Sequence, residues 1–117
     1  MGFQLAAREI GSVVVVDAVG RLTLTDGHTQ LRDLIHVSTG NGATKFVINL
    51  ARVEFIDSYG IGELARSYSV VRRAGGEMKL AGVNEKVLAV LTISRMTTVF
   101  EIHAEESAAL RAFGVGV

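Results

Sequence analysis

Val53-Glu54-Phe55-Ile56-Asp57-Ser58-Tyr59-Gly60-Ile61-Gly62-Glu63-Leu64 carries a strand end into a helix start, and the fold follows from how the chain reaches and leaves it. Upstream, Lys45-Phe46-Val47-Ile48-Asn49-Leu50 is a short apolar run with β-branched and aromatic residues, the pattern of a strand buried on both faces. Downstream, Ile61, Leu64, Ala65, Tyr68 and Val71 recur at three- and four-residue spacing and line one face of an amphipathic helix. Ser58 therefore lies at or next to a helix N-terminus. First-turn N–H groups there have no intrahelical acceptor, and together with the helix dipole they favour an anion such as a phosphate.

Working outward, Phe3, Leu5 and Ala7 alternate with Gln4, Ala6 and Arg8, and Gly11-Ser12 separates them from the run Val13 to Val19. This pattern predicts an antiparallel hairpin. Asp26-Gly27 punctuates the chain before a first helix carrying Leu31, Leu34 and Ile35, which ends near Gly40-Asn41-Gly42. The helix after Ser58 runs to Arg72-Arg73 and stops at Gly75-Gly76, and Glu77 to Ala81 is a short strand. Asn84 can cap a third helix carrying Val87, Leu88 and Leu91. Val99 to Ile102 reads as a last strand and Glu105 to Phe113 as a terminal helix. The order ββαβαβαβα implies an α/β fold: a mixed, mostly parallel sheet with an N-terminal antiparallel hairpin and helices packed on it. Phe46, Ile48, Leu50, Leu64, Leu80, Leu88 and Phe100 are the expected core. Functional groups of such open sheets gather at the carboxyl ends of the strands, where Ser58 falls.

Composition bounds the function. The 117 residues suit a single domain, 1–117, able to bury about two thirds of its unfolded surface. Basic and acidic residues number 12 each, so no net field draws the chain to nucleic acid or an anionic membrane, and a protein partner or small ligand is expected. The absence of cysteine removes thiolate chemistry and Cys-based metal sites. His28, His36 and His103 show no metal-ligand spacing, so neither metal nor cofactor is expected. The N-terminus lacks the basic and apolar regions of a signal peptide, and the most apolar stretch, Val13 to Val19, is broken by Asp17 and too short to span a bilayer. These features predict a soluble, cytoplasmic protein without membrane insertion, a monomer or weak homodimer.

Asp57-Ser58-Tyr59-Gly60-Ile61-Gly62 after an apolar strand resembles the phosphoacceptor turn of the STAS domain in the anti-sigma factor antagonist family, and the element order from about Phe3 to Phe113 is similar to that fold. The resemblance implies that Ser58 is phosphorylated by an anti-sigma factor that is also a Ser/Thr kinase. It implies further that the unphosphorylated form binds that partner and frees the sigma factor, that a Ser/Thr phosphatase resets the cycle, and that the domain itself catalyses nothing. Tyr59 stands where many members have a second Ser or Thr, and Asn49 where an Asp is frequent. Some members instead serve as unmodified scaffold subunits of lipid-transport or stress-sensing complexes.

Around Ser58, the expected partner surface comprises Asp26, Asp57, Tyr59, Gly60, Gly62, Glu63 and Arg66. Most have a plainer reading. Asp57 with Ser58 is a common helix cap, Asp26 serves turn chemistry, and Arg66 lies on a solvated helix face. Gly60 and Gly62 each disfavour helix by roughly 1 kcal/mol relative to Ala, which demands either a tight strand-to-helix turn or close approach of a partner. A serine hydrolase would need Gly-x-Ser-x-Gly, but position 56 is Ile56 and no His or acid completes a triad by spacing. A receiver-type aspartate acceptor would need a late Lys-Pro step in a chain that has no proline.

Overall fold

The computed structural model describes residues 2–24 and 29–115. Its elements are β1 (Gln4–Ile10), β2 (Val13–Leu22), α1 (Gln30–Gly40), β3 (Lys45–Ile56), α2 (Ser58–Arg73), β4 (Glu77–Ala81), α3 (Glu85–Ile93), a 3-10 turn (Met96–Thr98), β5 (Glu101–His103) and α4 (Glu106–Ala112). The strands form one five-stranded sheet in the order β1-β2-β3-β4-β5. β1 and β2 pair antiparallel across Gly11-Ser12, and every later pair is parallel and joined through a helix. The mixed sheet and element order expected from sequence are present.

Alternation along the strands divides the core between the two faces. Val16, Ala18, Phe46, Ile48, Leu50, Met78 and Leu80 pack with Leu31 and Ile35 of α1, Leu64 and Val71 of α2, and Val87 and Leu91 of α3. Val13, Val15, Val47 and Ala81 face the other way, against Ala109 and Leu110 of α4. Among the described residues, three helices thus cover one face and a single short helix covers part of the other.

Three expectations need correction. Leu88 is 40 % exposed, because Val87 and Leu91, one turn apart, carry the buried stripe of α3 and the next position lies about 100° around the helix. The last strand starts at Glu101 rather than Val99; Phe100 leaves the strand to enter the core, where its ring meets Tyr68 edge-on at 5.3 Å. β3 runs to Ile56 rather than Leu50, since its register against β2 slips twice, between Asp17 and Val19 and between Gly20 and Arg21. Val53 reaches the core after the first slip and Ile56 after the second, while Ala51, Arg52, Glu54 and Phe55 are exposed, so no alternating pattern marks this half of the strand.

Candidate functional site: the turn from β3 to α2

Asp57 is the N-cap of α2 and Ser58 its first residue. The Asp57 backbone is extended, its Oδ1 accepts from the Gly60 amide at 2.9 Å and its C=O accepts the first helical bond from Ile61 N at 2.9 Å. Its Oδ2 accepts from the Leu24 amide at 3.2 Å, and Asp57 N donates to Leu22 O at 3.4 Å. One carboxylate therefore ties the start of α2 to the chain leaving β2. Ser58 and Tyr59 are exposed beside this clamp, Tyr59 by 53 %. Their amides precede the first intrahelical bond, so the turn offers donors to an incoming anion while Asp57 already supplies one negative charge.

The predicted surface residues separate into those presented to solvent and those that build the turn. Ser58, Tyr59 and Arg66 are exposed and Asp57 and Gly62 are half-buried. Gly60 is buried: a Cβ there would fall 2.1 Å from Leu22 O and 2.6 Å from Ile56 Cγ1, so its lack of a side chain serves the strand-to-helix turn. Gly62 differs. The nearest atoms a Cβ there would meet belong to the Arg66 guanidinium, the first at 3.1 Å, so no backbone stands in its way as at Gly60.

Glu63, expected on the partner surface, is a buried residue with its side chain only 4 % exposed. It lies on the stripe of α2 that includes Gly60, Leu64 and Ser67, where Arg66 Nη1 pairs with it at 2.8 Å and Arg32 Nε of α1 stands at 3.7 Å. Its position makes it a joint between two helices. Asp26 lies outside the described residues.

Sequence reading missed the apolar rim of the turn. Leu24 is 46 % exposed and bonded to Asp57, and Phe55, two residues before Asp57, is 38 % exposed with the Arg21 guanidinium 5.5 Å from its ring centre. The only available signal was the bulky Phe55 between Glu54 and Ile56, which strand alternation would have placed inside.

Ionic clusters lie on the α4 face. Arg8 binds Asp17 at 2.7 Å and Glu106 at 2.5 Å; these two partners hold its guanidinium more firmly protonated than usual, and the Arg8 hydrogen bond holds the Glu106 carboxyl below its ordinary range despite partial burial. Lys79 is buried under Phe113, whose ring centre lies 4.6 Å from Nζ. Burial pushes the Lys79 ammonium down, but hydrogen bonds with Glu101 and Glu77 outweigh it and leave the group raised; Lys79, then His103, hold Glu101 low.

The model of the STAS domain family matches residues 4–109, and the chain belongs to that family. An anti-sigma F factor antagonist from Paenibacillus polymyxa is 27 % identical over 115 residues, covering 94 % of each chain. The structure of an anti-sigma factor antagonist from Mycobacterium paratuberculosis superposes with a TM-score of 0.84 at 20 % identity, over 95 % of this chain and 93 % of that one. That of the Bacillus cell fate determinant SpoIIAA in its phosphorylated form gives 0.71 at 24 % identity, over 96 % and 99 %. Both share the fold of this chain.

Proposed function

We propose that this chain is an anti-sigma factor antagonist, a non-enzymatic cytoplasmic regulator that binds an anti-sigma factor/Ser-Thr kinase and is switched by phosphorylation of Ser58, with a Ser/Thr phosphatase restoring the binding form. The observation that carries the reading is the exposed Ser58 hydroxyl on the first residue of α2, at the carboxyl end of β3, in a chain of the STAS family. Support comes from the relative named for antagonism of an anti-sigma factor and from SpoIIAA, a protein of the same fold known in a phosphorylated form.

Phosphorylation adds about −1.5 to −2 charges and three acceptor oxygens. Within the free protein the helix N-terminus offsets that charge by roughly 0.3 to 1 kcal/mol, and the adjacent Asp57 opposes it. Against a partner the phosphate must be desolvated and repels any facing carboxylate. Affinity falls while the fold persists.

Phosphosite mapping of protein from its own host, with calorimetric titration of wild type, Ser58→Asp and Ser58→Ala against the anti-sigma factor, tests this. Ser58→Asp should bind more weakly, and Ser58→Ala should bind and resist inactivation by kinase and ATP. Equal affinities for wild type and Ser58→Asp would favour an unmodified scaffold subunit instead.

A further inference from the structure

The strand that delivers Ser58 is interrupted at Asn49. Here β4 pairing ends, at Ala81, and the register against β2 slips, so that Asp17 faces Asn49 but Val19 faces Arg52. A bulge of this kind leaves an amide without its ladder partner. In this chain the Ala51 amide donates instead to the Asn49 side chain, Oδ1, at 2.9 Å. The other end of the same carboxamide, Nδ2, donates to Glu106 Oε1 at 3.0 Å in the first turn of α4. Only this orientation matches a donor to the carboxylate and an acceptor to the N–H. Glu106 is gripped in turn by Arg8 of β1, and Arg8 by Asp17 of β2, the cross-strand neighbour of Asn49. The ring closes over three strands and α4.

Asn49 is suited to this place because it is neutral and two-faced. Around the Arg8 cation stand two carboxylates, Asp17 and Glu106, and a third at position 49 would lie within hydrogen-bond distance of Glu106 with no proton to offer. The bulge that the carboxamide closes sets which side chains of the next segment face inward. Before it Phe46 and Ile48 are buried, and after it Val53 is; a second slip, opposite Gly20 and Arg21, then brings Ile56 inward ahead of Asp57 and Ser58, with Gly60 against Leu22.

We propose that Asn49 is a positioning residue for Ser58, its carboxamide locking the bulge in β3 to α4 so that displacement of α4 is transmitted to the turn that presents the hydroxyl. α4 is the shortest α-helix among the described residues, with seven residues, no side-chain N-cap bond and a small buried cluster under it, so it is the element whose displacement the lock would transmit. The biological meaning of the coupling rests on Ser58 being the phosphoacceptor, whereas the coupling itself does not.

Amide hydrogen exchange on the full chain tests it without any kinase. Asn49→Asp keeps the acceptor for Ala51 but turns the donor facing Glu106 into a like charge, and protection from Ala51 to Gly60 should fall about tenfold, a single hydrogen bond's worth, while Met78 to Ala81 in β4 and Leu31 to Ile35 in α1 are unchanged. Adding Glu106→Gln removes the like charge and offers the new carboxylate an amide donor, at the expense of the Oε1 that Arg8 also holds, so protection should recover to within about threefold of wild type, a recovery that general destabilisation would not show. Glu106→Ala, which adds no charge, should loosen the same segment as Asn49→Asp. Loss confined to α4, loss spread evenly over all strands, or no recovery in the double variant would overturn the proposal. A Ser58 that carries no phosphate in its host would count against the phosphoacceptor reading alone, leaving the exchange result to decide this one.

Discussion

Gly60 and Leu22 touch backbone to backbone: the Leu22 carbonyl oxygen occupies the space, 2.1 Å away, that any β-carbon on Gly60 would need. This contact brings the end of β2 against the first turn of α2, beside the bond that Asp57 accepts from Leu24. The second glycine of the turn has no such neighbour.

The two glycines should consequently behave in opposite ways. Gly60→Ala forces a methyl group against backbone, and the loss should reach or exceed the upper end of the roughly 1 to 3 kcal/mol typical of overpacking. Gly62→Ala meets first the exposed end of Arg66, which must shift slightly while still holding Glu63, and the free protein should gain at most roughly 1 kcal/mol through helix propensity. Urea midpoints read both. If Gly62 serves to admit a partner's backbone, Gly62→Ala will bind the anti-sigma factor more weakly in spite of its higher midpoint.

Asp57 closes both sides of the same turn. Asp57→Ala should cost about 1 kcal/mol as a lost cap and should speed exchange at the Leu24 and Gly60 amides together. Asp57→Asn, with one acceptor oxygen for two donors, should protect one amide and release the other. Unchanged exchange at Leu24 in Asp57→Ala would show that the tie between α2 and the chain after β2 has another origin.

Leu64 is fully buried where α2 meets the sheet. Leu64→Ala should lower stability by about 2 to 5 kcal/mol through cavity formation. An unmoved denaturation midpoint would contradict the packing of α2.

The carboxylates on the α4 face should shape the acid limb of stability. Glu106 is held low by the hydrogen bond from Arg8, and Glu101 by that from Lys79. A group whose pKa is lower folded than unfolded contributes stability above its unfolded value and loses it as pH falls through its folded value. The urea midpoint should therefore hold steady above pH 4.5, the ordinary glutamate value, and decline below it. Glu106→Gln should flatten that decline. Glu101, with its side chain 47 % exposed, should contribute less because solvent screens its pairing.

Element order and the placement of Ser58 were legible in the residues themselves, because both depend on short-range chemistry. Period-two apolar runs make strands, the 61-64-68-71 spacing makes a helix, and Asp and Asn before a helical run make caps; Asp57 and Asn84 both cap through their side chains. Those signals are local, and tertiary contacts did not override them.

What the tertiary structure alone decided was which groups face each other. Helical spacing put Leu88 beside Val87 and Leu91 with equal claim to the core, and only the way α3 docks leaves Leu88 in solvent. Glu63, a charge between two apolar positions, looked like surface until α1 brought Arg32 to one side of it and Arg66 folded over the other. The upper half of β3 and the ring of Arg8, Asp17, Asn49 and Glu106 depend on register between segments far apart in the chain. Register, docking angle and the pairing of buried charge are properties of two surfaces at once, and a sequence read along one chain shows each surface without its partner.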